Sequence, residues 1–157
     1  MTKTVLEKPV KKEVKKDFVF AVGRRREAIA RIRLYQSVKP DFKVVGQDVK
    51  KGDIFVNNKK ADQYFSGKIS MVSYLEPFKI TNTLDKYLIT AVISGGGLNG
   101  QLEALIHGIS RALSKIDLKN RQILKKKGFL TRDARVRERR KVGMGGKSRR
   151  RKQSPKR

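Results

Sequence analysis

Charge and apolar content run in opposite directions along this 157-residue chain, and that opposition limits what can fold. Residues 119–157 carry eighteen Lys or Arg against two acids, a net +16 out of +26 for the whole chain. Beyond Leu130 the apolar residues are Ala134, Val136, Val142 and Met144, each standing alone. Such a stretch cannot bury enough surface to offset the entropy of ordering it, so its order is expected to come from a partner. Residues 18–118 carry sixteen basic and nine acidic side chains and hold the periodic apolar runs that build a core. The organisation this predicts is a mobile Lys-rich arm over 1–17, one globular domain over 18–118, and a basic extended tail over 119–157.

The chain has no Cys, which excludes a disulfide framework and thiolate chemistry. No apolar run approaches the ~20 residues of a membrane span. The opening MTKTVLEKPVKKEVKK lacks an apolar signal core and carries acids, so neither a secretory nor a transit signal is expected, and the protein is read as cytoplasmic. A net +26 left alone opposes compaction through self-repulsion, so the charge is read as the complement of a polyanion.

Within 18–118, Phe18 to Val22 is a β-prone run expected to end at Gly23 and the cluster Arg24, Arg25, Arg26. Ala28, Ala30, Ile32 and Leu34 then alternate with Ile29, Arg31, Arg33 and Tyr35, which predicts a strand with one buried and one charged face. Ile54-Phe55-Val56 is a short strand, and Asn57-Asn58 a hairpin turn because Asn tolerates positive φ. Ile69 to Leu75 predicts a short helix, stopped because Glu76 precedes Pro77. Tyr87 to Ser94 predicts a strand buried on both faces. After a glycine turn, Leu102, Leu105, Ile106, Ile109, Leu113 and Ile116 form one helical stripe, with Asn99 as N-cap and Glu103 near the positive end of the dipole. The fold class is α+β, a four-stranded sheet with two helices on one face.

Little here supports catalysis. Gly95-Gly96-Gly97-Leu98-Asn99-Gly100 matches G-x-G-x-x-G, but no following strand ends in an acid for a ribose, and no G-K-S/T follows. A tight strand-to-helix turn or a phosphate-facing helix N-terminus are the readings that stand. His107, the only histidine, falls on the polar helix face beside Glu103 and Arg111 and is expected to be solvated or RNA-facing. No catalytic residue, metal site, cofactor or small-molecule substrate is predicted. Arg24, Arg25, Arg26, Arg31 and Arg33 are read as phosphate contacts, because the guanidinium fork matches phosphate oxygens. Lys125-Lys126-Lys127, Arg137 to Lys141 (with Arg139 and Arg140), and Arg149-Arg150-Arg151-Lys152 form three basic clusters joined by glycines. Extended, residues 130–157 reach roughly 90–100 Å, enough to enter a large RNA particle. Few aromatics interleave these charges, which favours structured RNA over stacked single strands.

Several segments together resemble one family, the bacterial-type small-subunit ribosomal protein S-nine. These are Ala21 to Arg31 (AVGRRREAIAR); Gly52-Asp53-Ile54 with Val56-Asn57; Thr81 to Leu84 with Lys86-Tyr87; and Gly95-Gly96-Gly97 with Gly100-Gln101. Gly108 to Leu113 (GISRAL), Leu130 to Arg135 (LTRDAR) and the terminal Lys156-Arg157 complete the set. The resemblance implies a fold like the second domain of ribosomal protein S-five, with a left-handed βαβ crossover, against the usual right-handed rule. It implies a place in the head of the small subunit, with 16S rRNA, peptidyl-site tRNA and neighbouring head proteins as partners. It adds Arg111, Arg132 and Arg135 to the rRNA-binding set, and implies that Arg157, assisted by Lys156, approaches the tRNA anticodon stem-loop. A DNA-architectural protein, or a phosphate-handling enzyme suggested by the glycine turn alone, are the rival readings.

Overall fold

The computed structural model describes residues 18–37, 43–44, 47–137 and 139. Strands β1 (Phe18–Arg25) and β2 (Ala28–Tyr35) form a hairpin. Short β3 (Lys43–Val44) and β4 (Gln47–Asp48) pair with each other alone. Then come β5 (Ile54–Val56), β6 (Lys59–Lys60), α1 (Ala61–Tyr64), α2 (Lys68–Ile80), β7 (Leu88–Ser94), α3 (Leu98–Ile116) and α4 (Leu118–Lys126). The main sheet has five strands in the order β1-β2-β7-β5-β6, antiparallel throughout except for the parallel pair β5 and β7. The crossover joining that parallel pair runs through α1 and α2.

The alternation in β2 sorts as its pattern predicts: Ala28, Ala30, Ile32 and Leu34 are buried, while Arg31 and Arg33 are exposed. Cross-strand register places Ala21 and Gly23 of β1, and Ile89, Ala91 and Ile93 of β7, on the same inner face. Across that face lies α3, whose Leu105, Ile109 and Leu113 are fully buried. Burying each contributes roughly 1.5–3 kcal/mol relative to exposure. The Asn57-Asn58 turn holds φ of 46° and 68°, the doubly left-handed geometry of a two-residue hairpin.

Five expectations need correction. The sheet has a fifth strand, β6, invisible as a pattern because it consists of two exposed lysines. β1 does not end at Gly23 but runs to Arg25. Gly23 is where the strand touches the helix: a Cβ there would lie 2.0 Å from the Ala104 carbonyl oxygen and 2.4 Å from the Gly108 nitrogen. Pro77 does not stop α2, which runs on to Ile80 with Pro77 inside it and buried, as are Tyr74 and Phe78. Burial of this apolar face, with α2 packed against α3 and α4, offsets the lost N–H, and the last turn is closed by Thr81, whose hydroxyl donates to the Pro77 carbonyl at 2.8 Å. β7 is not shielded on both sides, since Val92 is 56% exposed. The N-cap of α3 is Gly97 rather than Asn99, which lies inside the first turn.

The packed unit also extends past Leu118. Helix α4 buries Asn120 and Leu124, its start capped by the Asp117 carboxylate accepting from the Lys119 N–H at 2.9 Å. Gly128, at φ 81°, ends it with two back-bonds, Gly128 N–H to the Lys125 carbonyl and Phe129 N–H to the Leu124 carbonyl. Phe129 and Leu130 then turn back onto the core. The arm over residues 1–17 lies outside the described residues.

Candidate nucleic-acid interface

The outer face of the sheet carries cross-strand rows: Phe20, Arg33, Thr90; then Val22, Arg31, Val92; then Arg24, Ile29, Ser94. Arg31 and Arg33 stand at the centre of a shallow groove of about 190 Å³, flanked by Phe20 and Val92. The Arg33 guanidinium lies 5.3 Å from the centroid of the Phe18 ring. Among the described residues, no carboxylate forms an ion pair with Arg24, Arg26, Arg31 or Arg33. Exposed guanidinium groups without an acidic partner, set among apolar side chains, suit phosphate oxygens and sugar surfaces.

Arg26, at φ 50° in the β1–β2 turn, and Arg137 line a second concavity of about 510 Å³ where α3 begins, beside Gly96 to Gly100. The glycine turn here serves packing. Gly95 and Gly96 hold φ of 74° and 64°, and a Cβ on Gly95 would lie 2.5 Å from the Glu27 carbonyl oxygen. A relay of side chains fixes the turn. The Tyr64 hydroxyl donates to Gln101 Oε1 at 2.8 Å, and Gln101 Nε2 donates to the Gly95 carbonyl at 3.1 Å. Asn57 extends the β5–β7 pairing by one residue, accepting from the Ile93 N–H at 2.8 Å and donating to its carbonyl at 2.9 Å.

His107 and Arg111 have structural work that their wheel positions conceal. Strand β1 is an edge, and three outward backbone groups are met by α3: Arg24 N–H donates to His107 Nδ1 at 3.3 Å, Arg111 Nη1 donates to the Val22 carbonyl, and Lys115 Nζ donates to the Phe20 carbonyl at 2.7 Å. Two strand residues rise about 6.6 Å and four helix residues about 6.0 Å, so steps of two and four stay in register. The ladder covers an edge that is otherwise open to pairing with another chain. His107 is therefore half-buried rather than solvated. Burial, and then the Arg111 charge, push its pKa below the usual 6.5.

Arg25 departs most from the expected phosphate contact. With β1 continuing through Gly23, Arg25 shares the inner face with Ala21, and its side chain is only 8% exposed. Nε meets Glu103 of α3, and Nη1 meets Asp133 Oδ1 at 2.9 Å and the Arg135 carbonyl at 3.4 Å. Asp133 also accepts from the Arg135 side chain, with Nη2 at 2.6 Å, and that bond holds its pKa well below the carboxylate range. Two arginines and two carboxylates neutralise one another in this cluster. A strict period-two count from Ala21 points Arg25 inward; reading Gly23 as a break hid it.

The remaining basic residues are more open. Lys125, Lys126 and Lys127 are exposed at the end of α4, as are Arg132, Arg137 and Arg139 beyond it. Arg140, Lys141, Arg149, Arg150, Arg151, Lys156 and Arg157 lie outside the described residues. No group of three or more metal-ligating side chains gathers among the described residues, and no helix there is long and apolar enough to cross a membrane.

Residues 23–157 match the family described as ribosomal protein S9/S16. Over 131 residues the chain is 45% identical to the small ribosomal subunit protein uS9 of Maridesulfovibrio salexigens, covering 83% of this chain and 91% of that one. It is 41% identical over 143 residues to the protein of that name from Rickettsia felis, covering 91% and 81% respectively. With the one from Lawsonia intracellularis it shares 42% identity over 128 residues, 82% of this chain and 88% of the relative. An edge-capped α+β unit with exposed arginines on its open face, matched over this span and at these identities, belongs to the ribosomal protein S9/S16 family.

Proposed function

We propose that this chain is a structural, non-enzymatic constituent of the small ribosomal subunit, docking on 16S rRNA in the head through its open sheet face and basic extension. The observation that carries the reading is the set Arg24, Arg26, Arg31 and Arg33, exposed and without acidic partners among the described residues. Docking displaces counterions from rRNA phosphates, so affinity falls steeply with salt. Lys125 to Lys127, Arg132, Arg137, Arg139, Arg140, Lys141 and Arg149 to Arg151 extend the contact, and residues 138–157 take their path from the rRNA. At the end, Lys156 and Arg157 face phosphates of the peptidyl-site tRNA anticodon stem-loop. Arg suits that place because its fixed donors bridge phosphate oxygens and stay charged at any cellular pH.

The same reading makes the β5-to-β7 connection the left-handed crossover of the S-five second-domain fold, and gives the chain other head proteins as neighbours within a cytoplasmic ribosome. The parallel β5–β7 pair with helices between supports the crossover; an experimental structure tracing residues 54–94 checks its hand. Co-sedimentation with small subunits through a high-salt wash tests the placement. Deleting Lys156 and Arg157 tests the tail: assembly stays intact and tRNA leaves faster, whereas equal off-rates contradict the tRNA contact. Gel shifts against duplex DNA and rRNA fragments at matched salt complete the test, with a preference for DNA overturning the reading.

A further inference from the structure

We propose that Arg25 is a positioning residue that fixes where the basic extension leaves the domain, through a clasp with Asp133 and the Arg135 carbonyl. The path to that clasp is built step by step. Gly128 ends α4 and reverses the chain, and Phe129 and Leu130 seat on the core. Asp133 then reaches Arg25, whose other edge is held by Glu103 on α3. One guanidinium thus ties together the end of β1, the first turns of α3 and the start of the extension. A planar fork suits this, since it binds two carboxylates and a carbonyl with its donors in fixed directions. A side chain 8% exposed also has a strong penalty for losing either acid, because the charge left behind is poorly hydrated. Past Arg135 the described residues Val136, Arg137 and Arg139 are exposed, so the clasp is the last side-chain anchor of the extension among the described residues.

The proposal rests on the reading above only for its purpose: a tail aimed from a fixed exit spends less entropy in reaching its RNA. The exit itself is measurable on the free full-length protein. Since the chain has no Cys, spin labels at Lys79→Cys on α2 and Val136→Cys past the clasp report one distance distribution. A narrow distribution is expected in that background, lost on adding Asp133→Asn and regained with Asp133→Glu, while circular dichroism shows the fold unchanged in all three. A distribution as narrow with Asp133→Asn as without it overturns the proposal. On reconstituted subunits without labels, Asp133→Asn speeds tRNA release as deletion of Lys156 and Arg157 does. If the deletion has no effect, the tRNA contact fails, and the clasp stands or falls on the distance distribution alone.

Discussion

Replacing Gly23 by Ala tests the junction at which β1 and α3 meet backbone to backbone. The added Cβ meets two backbone atoms, at 2.0 and 2.4 Å, neither of which can rotate away. Bringing the first contact out to an ordinary separation of 3.4 Å or more opens β1 from α3 by about 1.4 Å at least, in an interior packed as tightly as a crystal. An opening of that size carries the 3.3 Å bond from Arg24 to His107 beyond hydrogen-bonding range, and strains those of Arg111 and Lys115. Overpacking costs about 1–3 kcal/mol, and each weakened ladder bond adds about 0.5–1.5 kcal/mol. A loss of about 3–5 kcal/mol takes much of the 5–15 kcal/mol typical of a whole domain. Urea unfolding of the full chain should show it, with Tm lower by about 10–20 °C. Gly97→Ala is the control: its φ is −103° and a Cβ there meets nothing within 4 Å, so it should cost no more than about 1 kcal/mol. Equal stability of the two variants refutes the close-approach argument.

Three further outcomes follow from the same geometry. Asn57→Ala removes both bonds to Ile93 and leaves its backbone groups without those partners, a loss of about 2–3 kcal/mol in urea midpoint analysis; a change under about 0.5 kcal/mol contradicts the pairing. His107 is held neutral in the fold with its pKa below 6.5, so the stability it adds is present above pH 6.5 and lost as pH falls below it. His107→Gln should flatten the pH dependence of the unfolding midpoint there, and an unchanged slope counts against a buried neutral ring. Asp133 carries its shift in the same sense, so the Asp133–Arg135 pairing should survive to pH values below 3.8; chemical-shift titration of the carboxylate checks this, and an ordinary midpoint contradicts it.

Much of this was legible where one physical rule acts alone. Period-two alternation placed Ile32 inside and Arg31 outside because β2 has one covered face. The 3.6-residue stripe found Leu105, Ile109 and Leu113, and asparagine's tolerance of positive φ found the 57–58 turn. The failures share a cause: local rules were overruled by contacts distant in sequence. Gly23 reads as a stop until α3 is seen lying against it, and Pro77 reads as a breaker until α3 and α4 are seen packed against its helix. A run of three arginines looks uniform, yet the alternation of β1 sends Arg24 outward and Arg25 inward. Helix α4 was hidden by its own charge: Leu124, Phe129 and Leu130 are few, but they land on a core already formed by 18–118. Charge density pointed to a polyanionic partner; which charges are free of acids among the described residues depended on where the acids fold.

The division between free and engaged arginines is open to one direct measurement. The affinity of the full chain for a small-subunit head rRNA fragment is followed across a salt series, for wild type and for Arg31→Gln with Arg33→Gln. Each phosphate contact contributes about 0.7–0.9 to the slope of log affinity against log salt, so the double variant should lose about 1.4–1.8. The loss should come with a stability change of no more than about 1 kcal/mol, because both side chains are exposed and unpaired with acids among the described residues and only the Arg33 contact with the Phe18 ring is lost. A slope unchanged from wild type contradicts the open sheet face as the docking surface.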